Sequence, residues 1–209
     1  MKSYSQICGI ARALDLIGDR WTILILRDLL LGPLHYAELL RNLEGITSNL
    51  LASRLTHLVA HGLVERQGRQ KQAPYALTPA GLTVEPVLFA LGAWGWSFLD
   101  LRDPTATRNL RWALVSLKRR LRPLHRDYIL QLHSTDQGGY TICERQGKIY
   151  IEAQTTLHFD AMLRGASRDL LQSFADLNET PWESLAVTIE GDRKVWSRLM
   201  RHLKEASSP

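Results

Sequence analysis

From residue 10 the apolar positions Ile10, Leu14 and Ile17 recur at helical spacing until Gly18 and Asp19 interrupt them. A second, more buried helical stretch runs from Thr22 to Leu31 and is stopped by Gly32 and Pro33. The pattern predicts a third helix over Tyr36 to Leu43 and a turn at Glu44-Gly45-Ile46. A fourth helix follows, capped by Thr47, reaching about His61 and closed by Gly62. Two helices joined by a tight glycine-containing turn are the minimal helix-turn-helix pattern. The periodicity then changes to that of a hairpin: strand Leu63 to Arg66, polar loop Gln67 to Gln72, strand Tyr75 to Leu77, with Pro74 where a missing N–H does least harm.

The run Leu77-Thr78-Pro79-Ala80-Gly81 starts a long helix, Thr78 as cap and Pro79 in the first turn, with a kink expected at Pro86. Leu82, Val87, Leu88, Leu91, Trp94, Phe98 and Leu99 spread around most of its circumference, which calls for a second buried face. Gly92 and Gly95 would admit another backbone, so the cover is either a second copy in a homodimer or the chain's own second half. The character changes after Arg102-Asp103-Pro104, which sets the expected domains at 1–104 and 105–209. In the second, Leu110, Leu114, Leu117 and Leu121 form a helical stripe. Strands are expected over Tyr128 to His133, Tyr140 to Arg145 and Lys148 to Ala153, and again over Leu185 to Ile189. Helices are expected over Phe159 to Leu163, Asp169 to Ala175 and Asp192 to Leu203. The fold class is α+β.

The 209 residues, 45% hydrophobic and 22% charged, describe an ordinary folded chain. There is no leader pattern, and the most apolar run, from Trp21 to Leu31, contains Arg27 and Asp28. The expectation is a cytoplasmic protein with no membrane partner. Cys8 and Cys143 are too few and too far apart for a disulfide framework, and no Cys/His spacing suggests a metal, so neither metal nor cofactor is expected. The net charge of +5 favours an anionic partner. The first 104 residues carry 10 Lys/Arg against 9 Asp/Glu and the remainder 16 against 12, yet Arg41, Arg54, Arg66, Arg69 and Lys71 form a local basic stretch with only Glu44 and Glu65. Lys118, Arg119, Arg120, Arg122 and Arg126 form another, readable as a solvated face, an extra DNA contact or a dock for an acidic partner.

With Leu51, Leu55 and Leu58 turned to the core, the fourth helix presents Asn49, Ser53, Thr56 and His57 on its opposite face. Small polar side chains there suit a major groove: Asn49 to adenine, His57 to a base or phosphate. Thr47 and Ser48 at the helix start suit a phosphate, Arg54 on the flank the DNA backbone. In the hairpin loop, Arg66, Arg69, Gln70 and Lys71 suit the minor groove or its phosphates. The expected partner is double-stranded DNA. An enzyme would need a nucleophile with its base, and the nearest set, Cys143 with His133 or His158, sits in no motif.

The stretch from Cys8 to Trp21, followed by Ile25-Leu26-Arg27-Asp28-Leu29-Leu30-Leu31-Gly32, closely resembles the HxlR family of bacterial regulators. Tyr36-Ala37-Glu38-Leu39-Leu40, Ile46 to Leu51, Arg54-Leu55, Gly62-Leu63-Val64 and Leu77 to Gly81 match in order. The resemblance implies a winged helix-turn-helix that binds inverted-repeat operators as a dimer. Gly9 stands where members often have proline. Some members sense oxidants or electrophiles through a cysteine at the position of Cys8, which here is either such a thiol or a small core residue.

The second half resembles the sterol-carrier-like domains appended to some such regulators, through Phe159 to Gly165, Leu185 to Asp192, Leu199 and Leu203. That implies a small apolar effector, with Met162, Phe174, Trp182 and Trp196 as either cavity lining or plain core. The rival reading is a lipid or small-molecule carrier whose first domain serves dimerisation.

Overall fold

The computed structural model describes residues 3–70, 72–100, 103, 105–175 and 186–205, and the chain divides into two compact units, Met1–Leu99 and Asp100–Pro209. Helix α1 (Gly9–Ile17) ends at Gly18. Asp19 then accepts hydrogen bonds from the backbone N–H groups of Trp21 (3.0 Å) and Thr22 (3.3 Å), starting α2 (Arg20–Leu29). α3 (Tyr36–Asn42), α4 (Ser48–Ala60) and the hairpin β1 (Val64–Arg66) and β2 (Tyr75–Leu77) follow as the apolar pattern predicts. α2 is the hub. It packs against α1, α3, α4 and β2, and its Ile25 and Leu26 are fully buried with Leu39, Leu51 and Leu58. α4 closes as expected on Gly62, whose φ of +69° only glycine adopts freely. The N–H of Leu63 reaches Leu58 O (3.0 Å) and that of Gly62 reaches Val59 O (3.0 Å), satisfying two carbonyls of the last turn.

Two expectations for this unit change. α1 buries Ala11 and Ile17 but leaves Ile10 and Leu14 exposed, because α2 covers only one side of it. The long helix after Pro79 is two helices, α5 (Pro79–Leu82) and α6 (Glu85–Trp96). Pro86 has no N–H for the carbonyl of Leu82 and its ring crowds that carbonyl. The chain therefore lets go after Leu82 and restarts with Pro86 in the first turn of α6, where it is harmless. α6 buries Leu88, while Trp94 is 69% exposed and Phe98, just beyond the helix, 73%. Their rings lie 5.0 Å apart, and the space beside Gly92 and Gly95 is open.

In the second unit Asn109 caps α7 (Leu110–Arg120) by accepting from the N–H of Arg111 (2.8 Å). The meander β3 (Tyr128–Ser134), β4 (Gly138–Arg145) and β5 (Lys148–Glu152) appears as predicted. The helix expected over Phe159 to Leu163 is instead strand β6 (Ala161–Gly165), parallel to β3. So short a segment, with only three consecutive apolar residues at Ala161-Met162-Leu163, reads equally as helix or strand, and pairing with β3 and β7 decides it. α8 (Ser167–Ala175), β7 (Val187–Gly191) and α9 (Arg193–Glu205) complete a sheet of order β5-β4-β3-β6-β7, antiparallel except at β3/β6. Register aligns Ile151, Ile142, Leu130 and Ala161 on one face, and Tyr140, Leu132, Leu163 and Ile189 beside them. On the alternate positions Gln131 donates to Thr156 O and Thr141 to Gln154 O (2.6 Å), so the segment before β6 is tied across the sheet. No helix among the described residues is long and apolar enough to cross a membrane.

Candidate nucleic-acid interface

α4 has two faces. Leu51, Leu55 and Leu58 are buried, whereas Asn49, Ser53 and Thr56 are exposed and share the outer side. At its start Thr47 accepts from the N–H of Leu50 (3.3 Å). Ser48 is engaged by Tyr36, whose hydroxyl donates to Ser48 O (2.6 Å) and lies 2.8 Å from Ser48 Oγ. That contact binds the start of α3 to the start of α4 across the turn.

The expected site residues His57 and Arg54 have other partners. His57 is half-buried, its Nε2 is 3.0 Å from Leu16 O, and its ring lies 4.2 Å from that of His61, so it faces α1 rather than the outer side. Arg54 makes a two-point pair with Asp19: Nε to Oδ1 at 3.1 Å and Nη2 to Oδ2 at 3.1 Å. Asp19 therefore both caps α2 and holds α4, and Arg54 sets the helix angle. Helical spacing places Arg54 on a flank but says nothing of what faces that flank.

The hairpin pairs Val64 with Leu77 and Arg66 with Tyr75. Leu34 adds a third strand position, exchanging two backbone hydrogen bonds with Tyr75 (3.0 and 2.8 Å), and His35 Nδ1 lies 2.6 Å from Gln72 O. Arg66 folds back on the loop, donating to Gln70 O (2.9 Å), with its guanidinium carbon 6.0 Å from the Tyr75 ring centroid. Arg69 and Gln70 are exposed; Lys71 lies outside the described residues. The sequence reading missed Asp19, His35 and Tyr36. Two of them carried a local signal: Asp19 as a preferred capping residue directly ahead of α2, and His35 through Glu38 three positions on, whose carboxylate accepts from the His35 N–H (2.7 Å).

Cys8 is exposed at the N-cap of α1. Arg12, one turn further along α1, lies 4.0 Å from Asp15. Cys143 is buried in β4, and burial pushes its thiol above the ordinary range. Met162 (7% exposed) and Trp196 (1%) are both closed into packed core. The side chain of Phe174 and all of Trp182 lie outside the described residues. A shallow open cleft on this unit is lined instead by Leu124, Arg126, Asp127, Tyr128, Asp160, Val195 and Arg198. Among the described residues no three His, Cys, Asp or Glu side chains converge as a metal site.

The HxlR-like helix-turn-helix family matches residues 16–103. The chain is 35% identical over 98 residues to the HTH-type transcriptional regulator sll1512 of Synechocystis sp., spanning 46% of this chain and 73% of that protein. It is 36% identical over 103 residues to the HTH-type transcriptional regulator YkvN of Bacillus subtilis (48% and 86%). To Rv3095 of Mycobacterium tuberculosis, also an HTH-type transcriptional regulator, it is 40% identical over 94 residues (44% and 59%). Through its N-terminal unit, the chain belongs to the HxlR-like helix-turn-helix family of transcriptional regulators.

Proposed function

We propose that the protein binds an inverted-repeat operator as a homodimer, with Asn49, Ser53 and Thr56 of α4 in the major groove and the hairpin, through Arg69, Gln70 and Lys71, on an adjacent minor groove or its phosphates. The observation that carries this reading is the exposed outer face of α4, small and polar, with the hairpin fastened beside its helix-turn-helix. Thr47 and Ser48 offer the helix N-terminus to a phosphate. Arg54 and His57 act behind this face as positioning residues, through Asp19 and Leu16.

Selection from a random duplex pool should return half-sites one helical turn apart, or a multiple of it. Asn49→Ala should then lose roughly 10 to 100-fold in affinity for the selected duplex, the range of one good base contact, with its thermal melting unchanged. Wild-type affinity in Asn49→Ala would remove α4 from the groove. Arg54→Ala should lower both affinity and melting temperature, which separates positioning from contact.

The second copy covers the exposed apolar surface of α6 and the adjoining Phe98. Trp94→Glu with Phe98→Glu should sediment as a monomer and bind the selected duplex far more weakly; a dimer of undiminished affinity would assign that surface another role.

The family region ends at residue 103, so the second unit is an addition to it. We read this unit as a sensor of sterol-carrier-like build for a small apolar effector, its mixed sheet and the helices α7, α8 and α9 among the described residues being the support. Cys8, exposed beside α1, offers a thiol route to the same control. Complete alkylation of Cys8 should change duplex affinity at least several-fold; unchanged affinity ends the thiol route. A protein that takes up an apolar ligand yet retains no duplex from the pool would be the carrier of the rival reading.

A further inference from the structure

The cleft on the second unit joins two basic segments that are far apart in sequence. Residues 118–126 contain five cations and no acid, and residues 193–201 contain four and no acid. Arg126 from the first and Arg198 from the second line the same cleft. The fold thus brings a cation of each run to the same cleft.

Three observations say what this surface meets. Its cations are available: Arg122, Arg126, Arg193, Lys194, Arg198 and Arg201 are exposed, and none forms an ion pair among the described residues. Two acids also line the cleft: Asp127 accepts from the N–H of Gln146 (3.2 Å) and Asp160 from that of Ile129 (2.7 Å), and neither forms an ion pair with Arg126 or Arg198 among the described residues. The apolar face of α9 is turned to the core, with Trp196, Leu199 and Met200 buried, and the apolar residues at the cleft, Leu124 and Val195, are half-buried, so the exposed layer of this surface among the described residues is cationic. A row of exposed cations without a protruding apolar anchor is the chemistry of a phosphate backbone, not of a lipid surface. With the first unit held on an operator as proposed above, the effective concentration of further duplex at this surface would be raised.

We propose that the cleft and outer face of α9, through Arg126, Lys194, Arg198 and Arg201, form a second, sequence-independent contact with the phosphate backbone of DNA flanking the operator. This rests on the operator-binding reading above. It gives the excess charge of the second unit a role: strengthening attachment without reading bases.

The test uses the full-length protein and the duplex selected above, in two lengths: the inverted repeat alone, and the same repeat with about 20 base pairs of arbitrary sequence on each side. Wild type should bind the longer duplex more tightly. Arg126→Gln with Arg198→Gln should reduce the slope of log affinity against log salt on the longer duplex by about two, at roughly 0.9 for each phosphate no longer neutralised. It should change binding to the bare repeat much less. Arg126→Lys with Arg198→Lys should keep the wild-type slope, since a phosphate needs the charge and not the guanidinium plane. An unchanged slope in the glutamine variant on the longer duplex overturns the proposal. So does tighter wild-type binding to single-stranded RNA of equal length, which would make RNA the partner of this surface. If wild type binds neither duplex, the operator reading itself has failed, a different result from a flank-independent affinity.

Discussion

Replacing Asp28 by alanine is expected to lower the stability of the N-terminal unit by about 3 kcal/mol, because it removes a buried carboxylate that supports a largely buried cation. The Asp28 carboxylate is fully buried and sits 2.9 Å from Nε and 2.8 Å from Nη2 of Arg27, itself only 21% exposed. Burial already pulls the Arg27 pKa below its usual range while Asp28 supports the charge, so removing the carboxylate takes away part of what holds the charged guanidinium there. The double change Arg27→Met with Asp28→Leu should recover most of the loss, since a buried pair replaced by well-packed apolar side chains is often neutral or better. Urea unfolding of the three proteins measures both effects. If the single alanine variant unfolds at the wild-type midpoint, the pair contributes nothing, and burial of Asp28 has another cause.

Gly81→Ala should be of similar size for an opposite reason, too much matter in place of too little. A Cβ at residue 81 would stand 1.9 Å from Leu63 O and 2.9 Å from Leu63 C. Both are backbone atoms, and Leu63 O already accepts from the N–H of Thr78 (3.1 Å). Thr78 is held in turn, donating to Gly62 O (2.6 Å) and accepting from Gly81 N (3.0 Å). No side chain can swing aside, so the helix start must back away from the hairpin base, a loss of about 3 kcal/mol and on the order of 15 °C in melting temperature for a domain of this size. A melting temperature within a few degrees of wild type would mean that α5 moves freely from β1.

What the chain discloses by itself is what neighbours in sequence decide. Thr47, Thr78 and Gly62 announce the ends of their helices because a cap needs only a hydroxyl or a missing Cβ at one position, and all three act as expected. The outer face of α4 was legible for the same reason, since 100° per residue fixes which side chains oppose Leu51, Leu55 and Leu58. Partners across the fold were not. The links of Arg54 to Asp19, His57 to Leu16 and Tyr36 to Ser48 span 35, 41 and 12 residues, and no periodicity carries that information. The run at Ala161–Gly165 was ambiguous by physics, since only the adjacent strands select its conformation. Pro86 was recognised as a breaker, but whether a helix bends or restarts depends on what the preceding turn can give up.

The exchange between Leu34 and Tyr75, together with His35 against Gln72, couples the hairpin to the chain just ahead of the helix-turn-helix. That link ties the hairpin to the helix-turn-helix, so the two move together more readily than apart. Under the proposed dimeric reading, the freedom left to a pair of such readers is the interval between them. The proposed regulator would then work as a caliper, with a signal expressed as a gap that matches the helical repeat of DNA or misses it.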